Sequence, residues 1–121
     1  MAIEAKTSTD VLEELMTIES IKAVVVIGRD GFVIEYAGSD TTMEMDALGA
    51  SVAGAIMRIE NTGAELNVEK YQDMHVEYGK AMIMCVPVGD AIVTIVARDS
   101  SALGTIRYKV KKAIPALKEF L

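Results

Sequence analysis

The chain is poor in the residue types that build disulfides, metal sites and large aromatic clusters. It contains one cysteine, one histidine, two prolines and no tryptophan among its 121 residues. A single cysteine cannot form an internal disulfide, and one cysteine with one histidine supplies no ligand pair at metal-binding spacing. Cys85 lies in the apolar run 82–86, so we expect it to be a small buried side chain, and we expect His75 at the surface. The sequence therefore predicts no metal and no cofactor.

Long apolar runs and an excess of basic residues are also absent. No stretch approaches the ~18 consecutive apolar residues of a transmembrane helix, and the first twenty residues carry several acidic side chains, unlike a secretory signal. Twelve Lys and Arg residues stand against eighteen Asp and Glu residues, for a net charge of −6. A surface of this sign repels the phosphate backbone of nucleic acids. We expect a cytoplasmic protein that spans no membrane and binds no nucleic acid.

Apolar residues are abundant. They make up 51% of the chain, and the mean hydropathy of +0.31 is high for a domain of this size. A chain of 121 residues is long enough to build one core, so we expect a single domain over residues 1–121. Apolar surface that remains after one core is built usually contacts a partner.

The segment between Thr41 and Gly63 predicts a central helix with more than one buried face. At helical spacing, one apolar stripe faces the core, and it consists of Met45, Leu48, Val52, Ile56 and Ile59. Thr41 and Glu44 match a capping box at the start of the helix. Gly63 fits the left-handed position that follows a last turn.

A second stripe lies about a third of a turn from the first, on a side that is polar in a helix covering one sheet. It consists of Met43, Ala50, Ala53 and Met57, with Gly49 and Gly54 beside it. Two interpretations remain open: the small residues pack on the protein's own sheet, or they let the same helix of a second copy approach closely. The remaining stripe then faces outward toward another partner, and it consists of Glu44, Ala47, Ser51 and Arg58.

Short runs of β-branched and apolar residues predict five strands. They span 21–27, 32–36, 66–78, 81–87 and 91–97. Hairpin turns such as Asp30-Gly31 dominate the connections, which predicts an antiparallel sheet. Helical spacing predicts a first helix capped by Thr7 and a last helix with a cap in Asp99–Ser101 and a kink or end near Ile114.

The predicted fold is therefore α/β (α+β), with the order α-β-β-α-β-β-β-α. A five-stranded antiparallel sheet carries the central helix on one face and the two terminal helices on the other. The first half of the run 66–78 is polar enough for an edge strand, and pairing of this edge across a twofold axis would join two sheets into one.

The order of elements and three local motifs resemble the roadblock / dynein light chain family over nearly the whole chain. The motifs are Ala23–Val26 leading to Arg29–Ile34, the hairpin at 86–90, and Leu103-Gly104-x-x-Arg107-Tyr108. The resemblance implies a homodimer, or a heterodimer with a paralogue, in which edge strands around 68–74 pair and central helices lie side by side. The residues expected at this interface are Met43, Ala50, Ala53, Gly54, Met57, Val68, Lys70, Gln72 and Met74.

The resemblance also implies a scaffolding role or the regulation of small Ras-like GTPases. Bacterial relatives bind the GTPase across the paired central helices, which projects the contact onto the outward stripe, Glu44, Ala47, Ser51 and Arg58. The sequence forms no enzyme site, since Gly28-x-x-Gly31 leads into a strand and lacks the Lys-Ser/Thr of a phosphate loop.

We expect a noncatalytic dimeric regulator. The alternatives are a structural adaptor without nucleotide-state preference, an arginine finger supplied by Arg58, and a small-molecule sensor.

Overall fold

The computed structural model describes residues 7–38 and 44–121. In these ranges the helices are α1 (Ser8–Met16), α2 (Met45–Leu66) and α3 (Leu103–Lys118). The strands are β1 (Ile21–Gly28), β2 (Val33–Gly38), β3 (Met74–Glu77), β4 (Met82–Val88) and β5 (Ala91–Ala97). Within the same ranges, every helix is too short or too polar to cross a membrane.

The strands form one antiparallel sheet in the order β2-β1-β5-β4-β3. β1 and β5 lie at its centre and are buried along almost their whole length. Their apolar side chains point alternately to the two faces, so both faces need cover. β2 and β3 are the edges, and their side chains are partly exposed. The predicted fold class and element order are confirmed.

Each face of the sheet has its own core. On one face, α1 and α3 cover a cluster that includes Leu12, Val24, Ile95 and Val110. On the other face, α2 covers a smaller cluster that includes Val25, Ile56, Cys85 and Ile92. Burying a side chain such as Leu or Ile contributes roughly 1.5–3 kcal/mol, so the two clusters together hold the layers in place. The predicted division of helices between the faces is confirmed.

Tight turns fix the register of the hairpins. Gly31 has a φ of +92° in the β1–β2 turn, and the Asp30 carboxylate accepts a hydrogen bond from the Phe32 amide at 3.1 Å. Val26 pairs with Glu35 and Ile27 pairs with Val33, so β2 contains one extra residue, Ile34. Such a β-bulge bends the strand and changes the direction of side chains beside it.

The helix ends agree only in part with the predicted caps. The Thr7 hydroxyl accepts a hydrogen bond from the Asp10 amide and the Asp10 carboxylate accepts one from the Thr7 amide, which confirms the cap of α1. For α2 the predicted capping box is wrong, because Glu44 itself takes the cap position and makes no side-chain capping bond. Its proposed partner Thr41 lies outside the described residues.

The predicted ends of α2 and α3 are also corrected. Gly63 lies inside α2, which continues to Leu66 because Asn67 adopts the left-handed conformation with a φ of 57°. The Val68 amide donates to the Gly63 carbonyl at 3.1 Å, the pattern of a Schellman motif. α3 begins after Ala102 instead of in the Asp99–Ser101 segment, and it runs through Pro115 to Lys118.

The strand predicted over 66–78 is mostly a loop. β3 contains only Met74–Glu77, and residues 67–73 connect α2 to it. Glu69 has a φ of 68°, a conformation that cannot continue a strand. Tyr71 lies in this loop with its side chain packed against the core under α2. Residues 67–73 therefore form a folded connection and not a pleated strand.

Candidate functional site

The inner face of α2 determines which of its residues are left for a partner. Val52 and Ile56 are buried, and Met45 and Leu48 are half-buried, as the sequence predicted. Ile59 is 41% exposed, so its predicted place in the core is wrong. The helix is rotated toward Gly49 and Ala53, which are buried in its place.

Gly49 is buried because the backbone of α2 touches the β1–β2 turn. A Cβ atom at Gly49 would lie 2.4 Å from the carbonyl oxygen of Gly31 and 3.3 Å from a methyl group of Val33. No larger residue fits this distance without moving the helix or the turn. For Gly49, the interpretation that the small residue packs on the protein's own chain is confirmed.

The outer face of α2 carries small, uncharged side chains. Between positions 47 and 57 its exposed residues are Ala47, Ala50, Ser51, Gly54, Ala55 and Met57. A Cβ atom at Gly54 would have no heavy atom within 4 Å, and Met57 is 59% exposed. Three helical turns without a charge are unusual on a surface that faces water. We refer to these six residues as the outer face.

The residues predicted for partner contacts are distributed as follows. Ala50, Gly54 and Met57 lie on the outer face, next to Ala47 and Ser51 of the predicted outward stripe. The two predicted stripes thus form one continuous exposed band, which Arg58 and Glu44 extend at either end. Ala53 is only 8% exposed and faces its own core, where the sequence predicted an accessible position. Met43 lies outside the described residues.

Larger apolar side chains continue the exposed band beyond the outer face. Among the described residues of this region, Ile59 is 41%, Leu66 is 66% and Val68 is 61% exposed. Lys70 and Gln72 are exposed in the loop that follows, and Met74 is half-buried at the start of β3. Thus Val68, Lys70 and Gln72 lie in a loop and not on the predicted edge strand. Their contact with a partner stays a prediction.

The loop 67–73 is held by contacts on both sides. Gly63 gives it room, since a Cβ atom there would lie 3.0 Å from the Glu69 carbonyl oxygen. The Asp73 carboxylate forms ion pairs with Arg107 at 3.4 Å and Lys111 at 3.8 Å. The sequence analysis missed this cluster, because the partners are more than thirty positions apart and only the packing of α3 beside β3 brings them together.

Tyr71 is the most unusual polar group near α2. Its hydroxyl is buried and has no hydrogen-bond partner within the described part of the chain. Burial raises the pKa of Tyr71 above its ordinary value of 10.0, and the nearby Cys85 and Glu60 raise it further. Glu60 itself is paired with Arg29, which joins α2 to the β1–β2 turn. The Arg29–Glu60 ion pair therefore links α2 to this turn, and the buried Tyr71 hydroxyl is shielded from solvent.

The chemistry of the region is that of a contact surface. Cys85 is buried and lies 3.6 Å from the Thr94 hydroxyl, and burial raises the pKa of its thiol, which opposes nucleophilic reactivity. In residues 7–38 and 44–121, acidic residues, histidine and cysteine form no group of three that could hold a metal ion. What α2 offers a ligand is shape and uncharged surface.

Comparisons with known proteins agree with this architecture. MglB of Myxococcus xanthus superposes with a TM-score of 0.86 at 19% identity, over 95% of this chain and 96% of that chain. A Roadblock/LC7 domain from Streptomyces avermitilis superposes with a TM-score of 0.81 at 14% identity, over 90% and 92% of the two chains. These likenesses show a shared fold.

Sequence comparison gives the family. The protein MJ0310 of Methanocaldococcus jannaschii is 30% identical over 110 residues, which cover 89% of this chain and 94% of that protein. A profile of the Roadblock/LC7 domain matches residues 7–97, from the cap of α1 to the end of β5. This chain belongs to the Roadblock/LC7 domain family.

Proposed function

We propose that the chain is a noncatalytic dimeric module that binds and regulates a small Ras-like GTPase through paired α2 helices. The observation that carries this proposal is the outer face of α2, which is exposed and uncharged over three turns. Membership of the Roadblock/LC7 domain family supports the same function by analogy. The cytoplasmic location predicted from the sequence is part of the proposal.

The dimer contact involves Ala50, Gly54 and Met57 of the outer face and the loop beside it. Ala50 and Gly54 let a second helix approach closely, since their side chains are small and no other part of the described chain covers Gly54. Met57 supplies an adaptable apolar side chain next to them. Val68, Lys70, Gln72 and Met74 extend the contact along the loop and β3. Met43 and Ala53 belong to the predicted interface as well, Ala53 at its buried margin.

The GTPase contact uses the outward part of the same band. Glu44, Ala47, Ser51 and Arg58 are exposed along α2 and carry no side chain that would catalyse hydrolysis by itself. Regulation would then act by shape, since a partner that contacts two α2 helices binds one conformation of its own mobile loops better than another. Arg58 is the single charged donor of this band that could reach a phosphate.

The first experiment tests nucleotide-state preference. Purified candidate GTPases are loaded with GDP or with a nonhydrolysable GTP analogue and captured on the immobilised protein. We expect preferential recovery of one nucleotide state, and loss of recovery for Ser51→Glu. Thr105→Glu is the matched control, because Thr105 is an exposed helical residue on α3, on the opposite face of the sheet. Equal recovery of both states would favour a structural adaptor, and recovery of neither would contradict the proposal.

The second experiment tests whether Arg58 acts as a finger. GTP turnover by a bound GTPase is measured with the unmodified protein and with Arg58→Ala. For a noncatalytic regulator, we expect any acceleration to change by less than about threefold, because the contact works by shape. Loss of an arginine finger lowers turnover by roughly 10³-fold or more. A loss of that size would make the module a catalytic activator.

A further inference from the structure

The free edge at β2 is unlike a protected sheet edge. β2 pairs with β1 on one side, and none of the other described strands pairs with its outer side. The edge is six residues long, and it contains neither a lysine nor a proline, the residues that commonly block pairing. Its outward backbone groups are therefore available to another extended chain.

Exposed apolar side chains accompany these backbone groups. Phe32 is 75%, Ile34 is 57% and Tyr36 is 56% exposed. The one charged residue of β2, Glu35, is half-buried on the face of the sheet that α1 covers. Its carboxylate accepts hydrogen bonds from the hydroxyl of Ser8 at 2.5 Å and from that of Thr9, so α1 holds this side chain in place.

A groove begins where β2 bulges. It has a volume of about 560 Å³, and Ile34, Phe120 and Leu121 supply its apolar lining. Asp30 and Asp90 also line it, while the charge of Arg29 is balanced by Glu60. The groove is thus apolar inside and negative at its rim, which suits an apolar side chain followed by a cation.

We propose that β2 binds an extended peptide segment with alternating apolar side chains and a Lys or Arg, which adds a sixth strand to the sheet. The backbone of the segment pairs with the β2 edge, as in other cases of strand addition. A side chain on one face of the segment contacts Tyr36, a side chain on its other face enters the groove beside Ile34, and its cation lies near Asp30 and Asp90. The site is at the opposite edge of the sheet from β3, and it does not depend on dimerisation through α2.

A fluorescein-labelled peptide, Lys-Val-Thr-Val-Thr-Val-Thr-Val-Lys, provides the probe for this site. We expect saturable binding by fluorescence anisotropy with a Kd below about 1 mM, which corresponds to about −4 kcal/mol. The same peptide N-methylated at alternate residues keeps its side chains but loses half of its amide donors, and we expect at least tenfold weaker binding. Hydrogen exchange of the β2 amides should slow when the unmodified peptide is bound.

Two tyrosines allow a matched substitution. Tyr36 and Tyr78 are 56% and 60% exposed, and only Tyr36 lies on β2. We expect Tyr36→Lys to weaken peptide binding at least tenfold and Tyr78→Lys to change it less than twofold. Equal effects of the two variants, equal binding of the N-methylated peptide, or no binding at 1 mM would overturn the proposal. The proposal would also be overturned if the protein formed oligomers at both low and high salt and Tyr36→Lys converted them to smaller species. The β2 edge would then pair with a second copy of the chain.

Discussion

The substitution Gly54→Glu separates the stability of the single chain from its association. Gly54 lies in the middle of the outer face, and a Cβ atom there meets no heavy atom within 4 Å. The fold can therefore accept the new side chain. Glutamate is also a better helix former than glycine, by roughly 0.5–1 kcal/mol. We expect the isolated chain to be as stable as before or slightly more so.

The same substitution acts against a dimer of α2 helices. At a helix-helix contact, the twofold axis places two carboxylates in or near the interface, and the effective penalty for burying each is several kcal/mol. A total cost of about 4 kcal/mol raises the dimer dissociation constant by about 10³-fold. Light scattering and sedimentation equilibrium over a range of concentrations measure this change directly.

The control for this prediction is Gly104→Glu. Gly104 is also an exposed helical glycine at which an added Cβ atom would meet no heavy atom within 4 Å, but it lies on α3, on the other face of the sheet. It should leave the dimer unchanged. If the Gly54→Glu protein dimerises with a dissociation constant within threefold of the control, the α2 interface is wrong. If the unmodified protein is a monomer at 100 μM, the proposed dimer of α2 helices is wrong.

Three further predictions concern the fold beneath the site. Gly49→Ala should destabilise the chain by about 1–3 kcal/mol in urea unfolding, because its Cβ would lie 2.4 Å from the Gly31 carbonyl oxygen; an unchanged unfolding midpoint would show that helix and turn separate easily. Cys85 should resist alkylation at pH 8 until the protein unfolds, since it is buried and its pKa is raised; rapid modification of the native protein would contradict its burial. Because burial raises the pKa values of Cys85 and Tyr71 on folding, the unfolded chain loses these protons first, so the free energy of unfolding is unaffected by them below their ordinary values of 9.0 and 10.0 and falls as the pH rises above those values. Tyr71→Phe removes a hydroxyl without a partner, so stability at pH 7 should stay the same or rise and the alkaline loss should shrink.

The sequence predicted the layers of the fold because they depend on local patterns. The runs 21–27 and 81–87 are apolar on both faces, which predicted a sheet covered by helices on both sides, and Asp30-Gly31 identified the hairpin between β1 and β2. Periodicity also identified α2, but it could not fix the rotation of the helix. That rotation depends on how closely the backbone at Gly49 approaches Gly31. The spacing of apolar residues along the sequence gives no information about this distance.

The same limit explains the differences at the site. Ala50, Gly54 and Met57 are exposed on α2 where the sequence predicted partner contacts, whereas Ala53, one step along the same stripe, is buried by the rotation. The run 66–78 alternates like a strand, yet Asn67 and Glu69 take left-handed conformations that only the tertiary contacts of the loop select. Local pattern predicted which surface is apolar, and packing decided how far that surface extends.

The contact between Gly31 and Gly49 has a consequence for how this surface can change. Because main chain rests on main chain there, the position of α2 does not depend on the side chains that it shows to solvent. Replacing those outer residues would alter what the helix recognises while leaving the helix where it is. A domain whose helix is positioned by its main chain can acquire new binding specificity through substitutions on the exposed side of that helix alone, without changes in its core.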